Sequence, residues 1–178
     1  MGRQRKIAIG ALAVGAGILS ALAAGGLWGG LRVNLTPSYP LGIWRIQPID
    51  REAVIGDLVF ICPPGTPAFV LGVERGYLPA GLCPSGTAPL IKSVVAVAGQ
   101  VVKVEDTIAI DGIELQNSGV RSTDAQGRPL SVFAGGQVPP GSVFLHSDFG
   151  GSYDSRYFGP LPADGILGLA APVLVLAP

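Results

Sequence analysis

The chain has 178 residues, 48% hydrophobic and only 13% charged, with 27 glycines and 16 prolines, so it has room for one ordinary domain and is more apolar than a soluble protein of that size needs to be. Twelve basic and twelve acidic residues cancel, but Arg3, Arg5 and Lys6 precede the long apolar stretch, and residues 7–178 carry 9 basic against 12 acidic groups. That balance removes the usual electrostatic footprint of a nucleic-acid binder, and no internal repeat or low-complexity tail is visible.

A basic tail, residues 1–6, leads into 25 positions from Ile7 to Leu31 without a charge. Roughly 20 apolar residues cross a hydrocarbon core as a helix, so residues 7–31 are predicted to span a membrane. The basic flank keeps the N-terminus cytoplasmic and places residues 32–178 on the exported side. Small residues at Ala21-Leu22-Ala23-Ala24 leave open a cleavable signal peptide. Retention is favoured because the apolar run continues through Leu27 and Trp28, and Trp28 suits the membrane interface.

Beyond the anchor, Ile43 to Ile46 and Leu58 to Ile61 read as short strands, and the apolar spacing between Ala68 and Gly76 is closer to helical. Leu90 to Ala98 and Val101 to Val104 are predicted strands separated by Gly99-Gln100. Thr107 to Ile110 should pair with Ile113 to Leu115 across Asp111-Gly112, a preferred two-residue hairpin turn. Asn117 to Pro140 is polar and reads as a long surface excursion, after which Val143 to His146 and Ile166 to Leu176 return to extended structure. The predicted class is mainly β, a coiled sheet or partly closed barrel with one N-terminal transmembrane helix.

Cys62 and Cys83 are the only cysteines, and an even count outside the cytoplasm predicts a disulfide; two separate buried thiols are the alternative. Two cysteines and one distant histidine fall short of a metal's usual ligand set.

Several residues carry possible chemistry. Ser38 stands between Pro37 and Pro40, which restrict the backbone and hold the hydroxyl in a fixed presentation; taken alone, the peptide is also an ordinary Pro-Ser turn. Thr36 could donate to an oxyanion beside the backbone N–H of Ser38. Lys92 lies in Pro89-Leu90-Ile91-Lys92-Ser93-Val94, where strand alternation puts it on the face of Leu90 and Val94. An ammonium held against apolar side chains loses its proton more readily and becomes a base, whereas a strand lysine whose tip reaches water does not. His146 is the single histidine and would have to serve any Ser-His-acid triad; a structural histidine is the preferred reading. Ser85-Gly86 imitates part of a nucleophile elbow, but the Gly-x-Ser-x-Gly pattern is absent. In the polar block Ser147 to Pro160, Asp154 and Arg156 fall on one side of an extended chain and can pair, at the least as a surface ion pair, and Ser152 could orient the Lys92 amine.

In order, the basic N-terminus and apolar segment, Thr36-Pro37-Ser38-Tyr39-Pro40-Leu41-Gly42, Leu90-Ile91-Lys92-Ser93-Val94-Val95-Ala96-Val97-Ala98-Gly99 and Ser152-Tyr153-Asp154-Ser155-Arg156-Tyr157-Phe158-Gly159 resemble the signal peptidase I superfamily. Glu74-Arg75-Gly76-Tyr77-Leu78, Cys83-Pro84 and Gly127-Arg128-Pro129-Leu130 bring the resemblance to the conjugative-transfer peptidases of TraF type. It implies a Ser-Lys dyad with Ser38 as nucleophile and Lys92 as general base and then acid, Thr36 and Ser38 forming the oxyanion hole, Ser152 orienting the lysine, and Asp154 with Arg156 as acid and arginine. In that branch an aspartate is implicated in activity; Asp154 is the choice here and Asp148 its rival. The resemblance further implies an exported, membrane-tethered pilin precursor as substrate, other conjugative transfer components as possible partners, the bacterial inner membrane with a periplasmic catalytic domain, and neither metal nor cofactor. An acyl-enzyme could be resolved by water or by the substrate's own N-terminus, giving a cyclic product. Three departures from ordinary signal peptidases stand out: Tyr39 where methionine is common, Ser93 where a basic residue is common, and Ser147-Asp148-Phe149 in place of Gly-Asp-Asn. The rival readings are a general signal peptidase and a non-enzymatic membrane-anchored scaffold of a secretion machine.

Overall fold

The computed structural model describes residues 2–27 and 29–176. Its first element, α1 (Arg3–Leu27), is the one helix among the described residues long and apolar enough to cross a membrane. Helix α1 ends before the predicted Leu31, because the Gly29-Gly30 pair breaks it: Gly30 adopts a φ of +64°, and Leu31 opens a strand. Arg32 Nη1 donates to the carbonyl of Gly26 at 2.7 Å, capping one of the unpaired groups at the helix end. Trp28, expected at the membrane interface, lies outside the described residues.

The remaining elements follow in chain order as β1 (Leu31–Asn34), β2 (Gly42–Gln47), β3 (Leu58–Ile61), α2 (Pro67–Glu74), β4 (Leu90–Val97), β5 (Val101–Val104), β6 (Ile108–Ile110), β7 (Ile113–Glu114), β8 (Gly136–Gln137), β9 (Ser142–His146), α3 (Ser155–Phe158), β10 (Leu161–Pro162) and β11 (Ile166–Val175). The fold is mainly β. One sheet has the order β1-β2-β11-β3-β4-β9-β10, and a smaller one has β7-β6-β5-β8, with every pairing antiparallel. The long last strand β11 bridges β2 and β3, and register shifts within β11 and β4 bend the large sheet. The hairpin of β6 and β7 turns at Asp111-Gly112, where both residues take positive φ, +50° and +84°, as a type I′ turn requires.

Alternation along β4 divides the core. Leu90 and Val94 join Val59, Ile61, Leu145 and Phe69, while Ile91 turns to the opposite cluster with Trp44, Phe60 and Ala170. Lys92 therefore points where Leu90 and Val94 point. The stretch Asn117 to Pro140 is less free than its polarity predicts: Phe133 N donates to the Arg156 carbonyl, Arg156 Nη1 donates to the Gly119 carbonyl, and Val138 is buried. Cys62 and Cys83 form the disulfide, with Cα atoms 5.2 Å apart, and enclose α2.

Candidate active site

The loop after β1 is wound around one buried amide. Asn34 Nδ2 donates to the carbonyls of Thr36, Tyr39 and Pro40 at 3.0, 2.9 and 3.1 Å, and its Oδ1 accepts from the backbone N–H and the hydroxyl of Thr36 at 3.1 and 2.7 Å. Ser147 Oγ donates to the Ser38 carbonyl at 2.8 Å, and Trp44 Nε1 to that of Pro40 at 3.0 Å. Prolines alone therefore do not fix Ser38. Asn34 and Ser147 share the task, and sequence reasoning missed both; the only signal for Asn34 was a polar residue just before the motif.

Lys92 is 4% exposed. Its Nζ donates to Ser152 Oγ at 2.6 Å and lies 3.4 Å from Ser38 Oγ, while the Ser38 and Ser152 hydroxyls are 3.3 Å apart. Burial pulls its pKa down from 10.5 to about 8; the charge of Asp154 opposes the fall and that of Arg156 reinforces it. The structure thus brings together Ser38, Lys92 and Ser152, from three separate parts of the sequence.

Asp154 and Arg156 do pair, though differently from the extended arrangement the spacing predicts. Asp154 is the N-cap of α3, accepting from Arg156 N at 3.2 Å, and the guanidinium closes onto it through Nε at 2.8 Å and Nη2 at 2.9 Å. Both side chains are fully buried, so this is no surface ion pair. Arg156 Nη2 also donates to the Ser152 carbonyl at 3.2 Å, and Ser147 N donates to Asp154 Oδ2 at 3.3 Å. Through those bonds the pair holds the backbone of Ser152 and Ser147, the two serines that touch Lys92 and the Ser38 carbonyl. Asp154 reaches Lys92 through its charge, whereas the side chain of Asp148 is 81% exposed and stands 3.7 Å from His146 Nδ1.

His146 is buried, burial lowers its pKa, and its Nε2 has no hydrogen-bond partner among the described residues. No hydrogen bond joins its ring to Ser38. Thr36 lies two residues from Ser38 with its hydroxyl directed to Asn34, and the backbone N–H of Ser38 makes no hydrogen bond among the described residues. Two of the departures from ordinary signal peptidases meet each other: the Tyr39 hydroxyl and Ser93 Oγ are 2.9 Å apart, and Tyr39 also donates to the His146 carbonyl at 3.3 Å. Ser85 bonds to Thr87 in a buried pair and takes no part. Among the described residues no three His, Cys, Asp or Glu side chains converge as metal ligands.

Ser38, Lys92 and Ser152 line a cleft of about 780 Å³ together with Leu90, Tyr153 and the segment Arg75 to Pro79, which belongs to the disulfide-closed loop.

A profile of the family described as signal peptidase, peptidase S26, matches residues 6–175. The chain belongs to that family, and with its N-terminal helix this points to a membrane-anchored, serine-type peptidase. Among its relatives are a probable conjugal transfer protein TraF of Sinorhizobium fredii, 62% identical over 85% of this chain and 80% of that protein, and the conjugal transfer protein TraF of Agrobacterium fabrum, 52% identical over 98% and 99%. A plasmid transfer protein TraF of Escherichia coli is 34% identical over 92% of this chain and 93% of its own. The crystal structure of a signal peptidase I from Enterococcus faecalis aligns with 67% of this chain and 97% of its own at 18% identity, with a TM-score of 0.40.

Proposed function

We propose that this chain is a membrane-anchored serine endopeptidase that processes an exported pilin-type precursor for conjugative transfer, with Ser38 as nucleophile and Lys92 as base. The observation that carries this reading is the buried Lys92 Nζ, 3.4 Å from Ser38 Oγ and 2.6 Å from Ser152 Oγ. An amine titrating near 8 is neutral in an appreciable fraction of molecules at physiological pH, so it can accept a proton.

Ser38 Oγ attacks the scissile carbonyl while Nζ takes the hydroxyl proton. Charge develops on the carbonyl oxygen, which the free N–H of Ser38 stabilises, joined by Thr36 once its hydroxyl turns from Asn34. The lysine ammonium then gives its proton to the leaving amine, and an ester remains on Ser38. Water attacks that ester with Nζ again as base and yields a shortened chain. If the N-terminal amine of the same substrate attacks instead, the product is cyclic, and every earlier step is shared. Ser152 orients the lysine, while Asp154 and Arg156 act as positioning residues that hold Ser152 and Ser147 in place. The basic tail favours a cytoplasmic N-terminus and a periplasmic cleft at the bacterial inner membrane.

The transfer context rests on the names of the relatives. Purified protein in detergent should process the pilin precursor of its own transfer system and leave an unrelated preprotein intact. Equal removal of leaders from both would make it a general signal peptidase, and unchanged transfer with Ser38→Ala and Lys92→Ala would leave only a scaffold.

A further inference from the structure

Residues 7–178 hold nine lysines and arginines. Arg51, Lys103, Arg128 and Arg156 are paired with carboxylates. Among the described residues the other five, Arg32, Arg45, Arg75, Lys92 and Arg121, are not, and all except Arg45 line the cleft that contains Ser38. The cleft has one acidic lining residue, Asp124, and its carboxylate is already engaged: it accepts from the Tyr77 hydroxyl, Arg128 Nε and the backbone N–H groups of Gln126 and Arg128. A cationic concavity is thus set into a domain whose acidic residues outnumber its basic ones, 12 to 9. Such a cleft concentrates anionic groups.

The three arginines are not equivalent. Arg32 donates through Nη1 to the carbonyls of Gly26 and Leu31, and Arg75 through Nη1 to the Tyr77 hydroxyl and the Pro129 carbonyl. Arg121 is held by its backbone, whose N–H donates to the Tyr157 hydroxyl at 3.3 Å, while its exposed guanidinium donates to no group among the described residues. Its Nη2 stands beside Gly150, close enough that a Cβ added there would be 3.6 Å away. Gly150 and Gly151 lead directly into Ser152, so the unused donor fork stands beside the loop that delivers the partner of Lys92.

We propose that Arg121 anchors a carboxylate-binding subsite of this cleft, with Arg75 and Arg32 adding to the positive field, and that the bound segment is a peptide that presents one carboxylate there. The planar guanidinium receives a carboxylate through two parallel hydrogen bonds, and the group can come from an Asp or Glu side chain or from a free chain end. This deepens the peptidase reading and rests on it for the identity of the cleft.

The test uses the full chain with Ser38→Ala in detergent micelles, so that binding is read without turnover. Short alanine-rich peptides with a neutral N-terminal fluorophore serve as probes: one carries a single Glu, its twin carries Gln, and each is made with a free or an amidated C-terminus. Fluorescence anisotropy should show at least one carboxylate form binding about tenfold more tightly than its neutral twin, with the preference fading in high salt. Arg121→Gln should abolish the preference; Arg45→Gln, an unpaired arginine outside the cleft, should keep it. A preference confined to Glu assigns the subsite to a side chain, and one confined to the free acid assigns it to a chain end. Equal binding of charged and neutral twins to the otherwise intact protein overturns the proposal, as does a preference that survives in folded Arg121→Gln. Failure of the Ser38 mechanism is a separate result, because it would appear as precursor processing by Ser38→Ala whether or not the preference exists.

Discussion

Replacing Lys92 with Met tests the desolvated amine through stability alone. The folded pKa of about 8 lies below the ordinary 10.5, so between those values the unfolded chain keeps a proton that the folded chain has lost. Wild-type stability should therefore rise across that window by about 1.4 kcal/mol per pH unit, and the full deficit of about 3 kcal/mol applies below pH 8, where the buried amine is charged. Met fills the volume of the lysine stem without the charge, so the stability difference in favour of Lys92→Met should be larger at pH 7 than at pH 10.5 by about 3 kcal/mol. Loss of the Ser152 hydrogen bond shifts that difference equally at every pH. Tyr39 and Tyr153, whose pKa values burial raises, titrate in both proteins and cancel. Urea unfolding followed by the fluorescence of buried Trp44, with the chain in micelles from pH 7 to 10.5, gives the difference directly. A difference that stays flat over this range would refute the claim that burial displaces the Lys92 proton.

In the proposed mechanism the same titration governs the rate. With saturation avoided, log kcat/KM for precursor processing should climb with a slope of one below pH 8 and level off above it; a plateau reaching down to pH 6 would exclude Lys92 as the base. Ser152→Ala removes the 2.6 Å partner of Nζ and should lower kcat by about tenfold to a hundredfold with little change in KM, and Ser152→Thr should recover part of it, as steady-state kinetics would report. Arg156→Leu strands the buried Asp154 charge and should cost about 3–5 kcal/mol of unfolding free energy, whereas Arg156→Leu with Asp154→Asn should cost less than the single change, in the same urea titration.

Much of this architecture was legible in the sequence wherever a pattern was local. The alternation of Leu90, Lys92 and Val94 announced a lysine turned toward the core, and Asp111-Gly112 announced the turn between β6 and β7. The cysteine count foretold the bond between Cys62 and Cys83. What failed was set by tertiary partners. Strands β8 and β10 are two residues each and exist only as ladder partners of β5 and β9. Helix α3 has four residues, too short for a periodic signal, and its start depends on the cap by Asp154, a residue whose spacing from Arg156 suggests an extended segment instead. Asn34 orders the Ser38 loop through five hydrogen bonds to residues a few positions away, and nothing in an isolated asparagine reveals that a loop will close around it. The bond between Tyr39 and Ser93 explains as a pair two departures that looked unrelated in one dimension.

The central claim is that a neutral lysine amine activates the Ser38 hydroxyl. Its most direct test is intact-mass analysis of the pilin from cells carrying the wild-type chain, Ser38→Ala, Lys92→Ala or His146→Ala, each confirmed as folded and membrane-inserted. Unprocessed precursor in the first two variants, with mature pilin from wild type and His146→Ala, is the predicted result, and a product lighter than the linear chain by one water would identify cyclisation. Mature pilin from Lys92→Ala, or its loss in folded His146→Ala, would contradict the account.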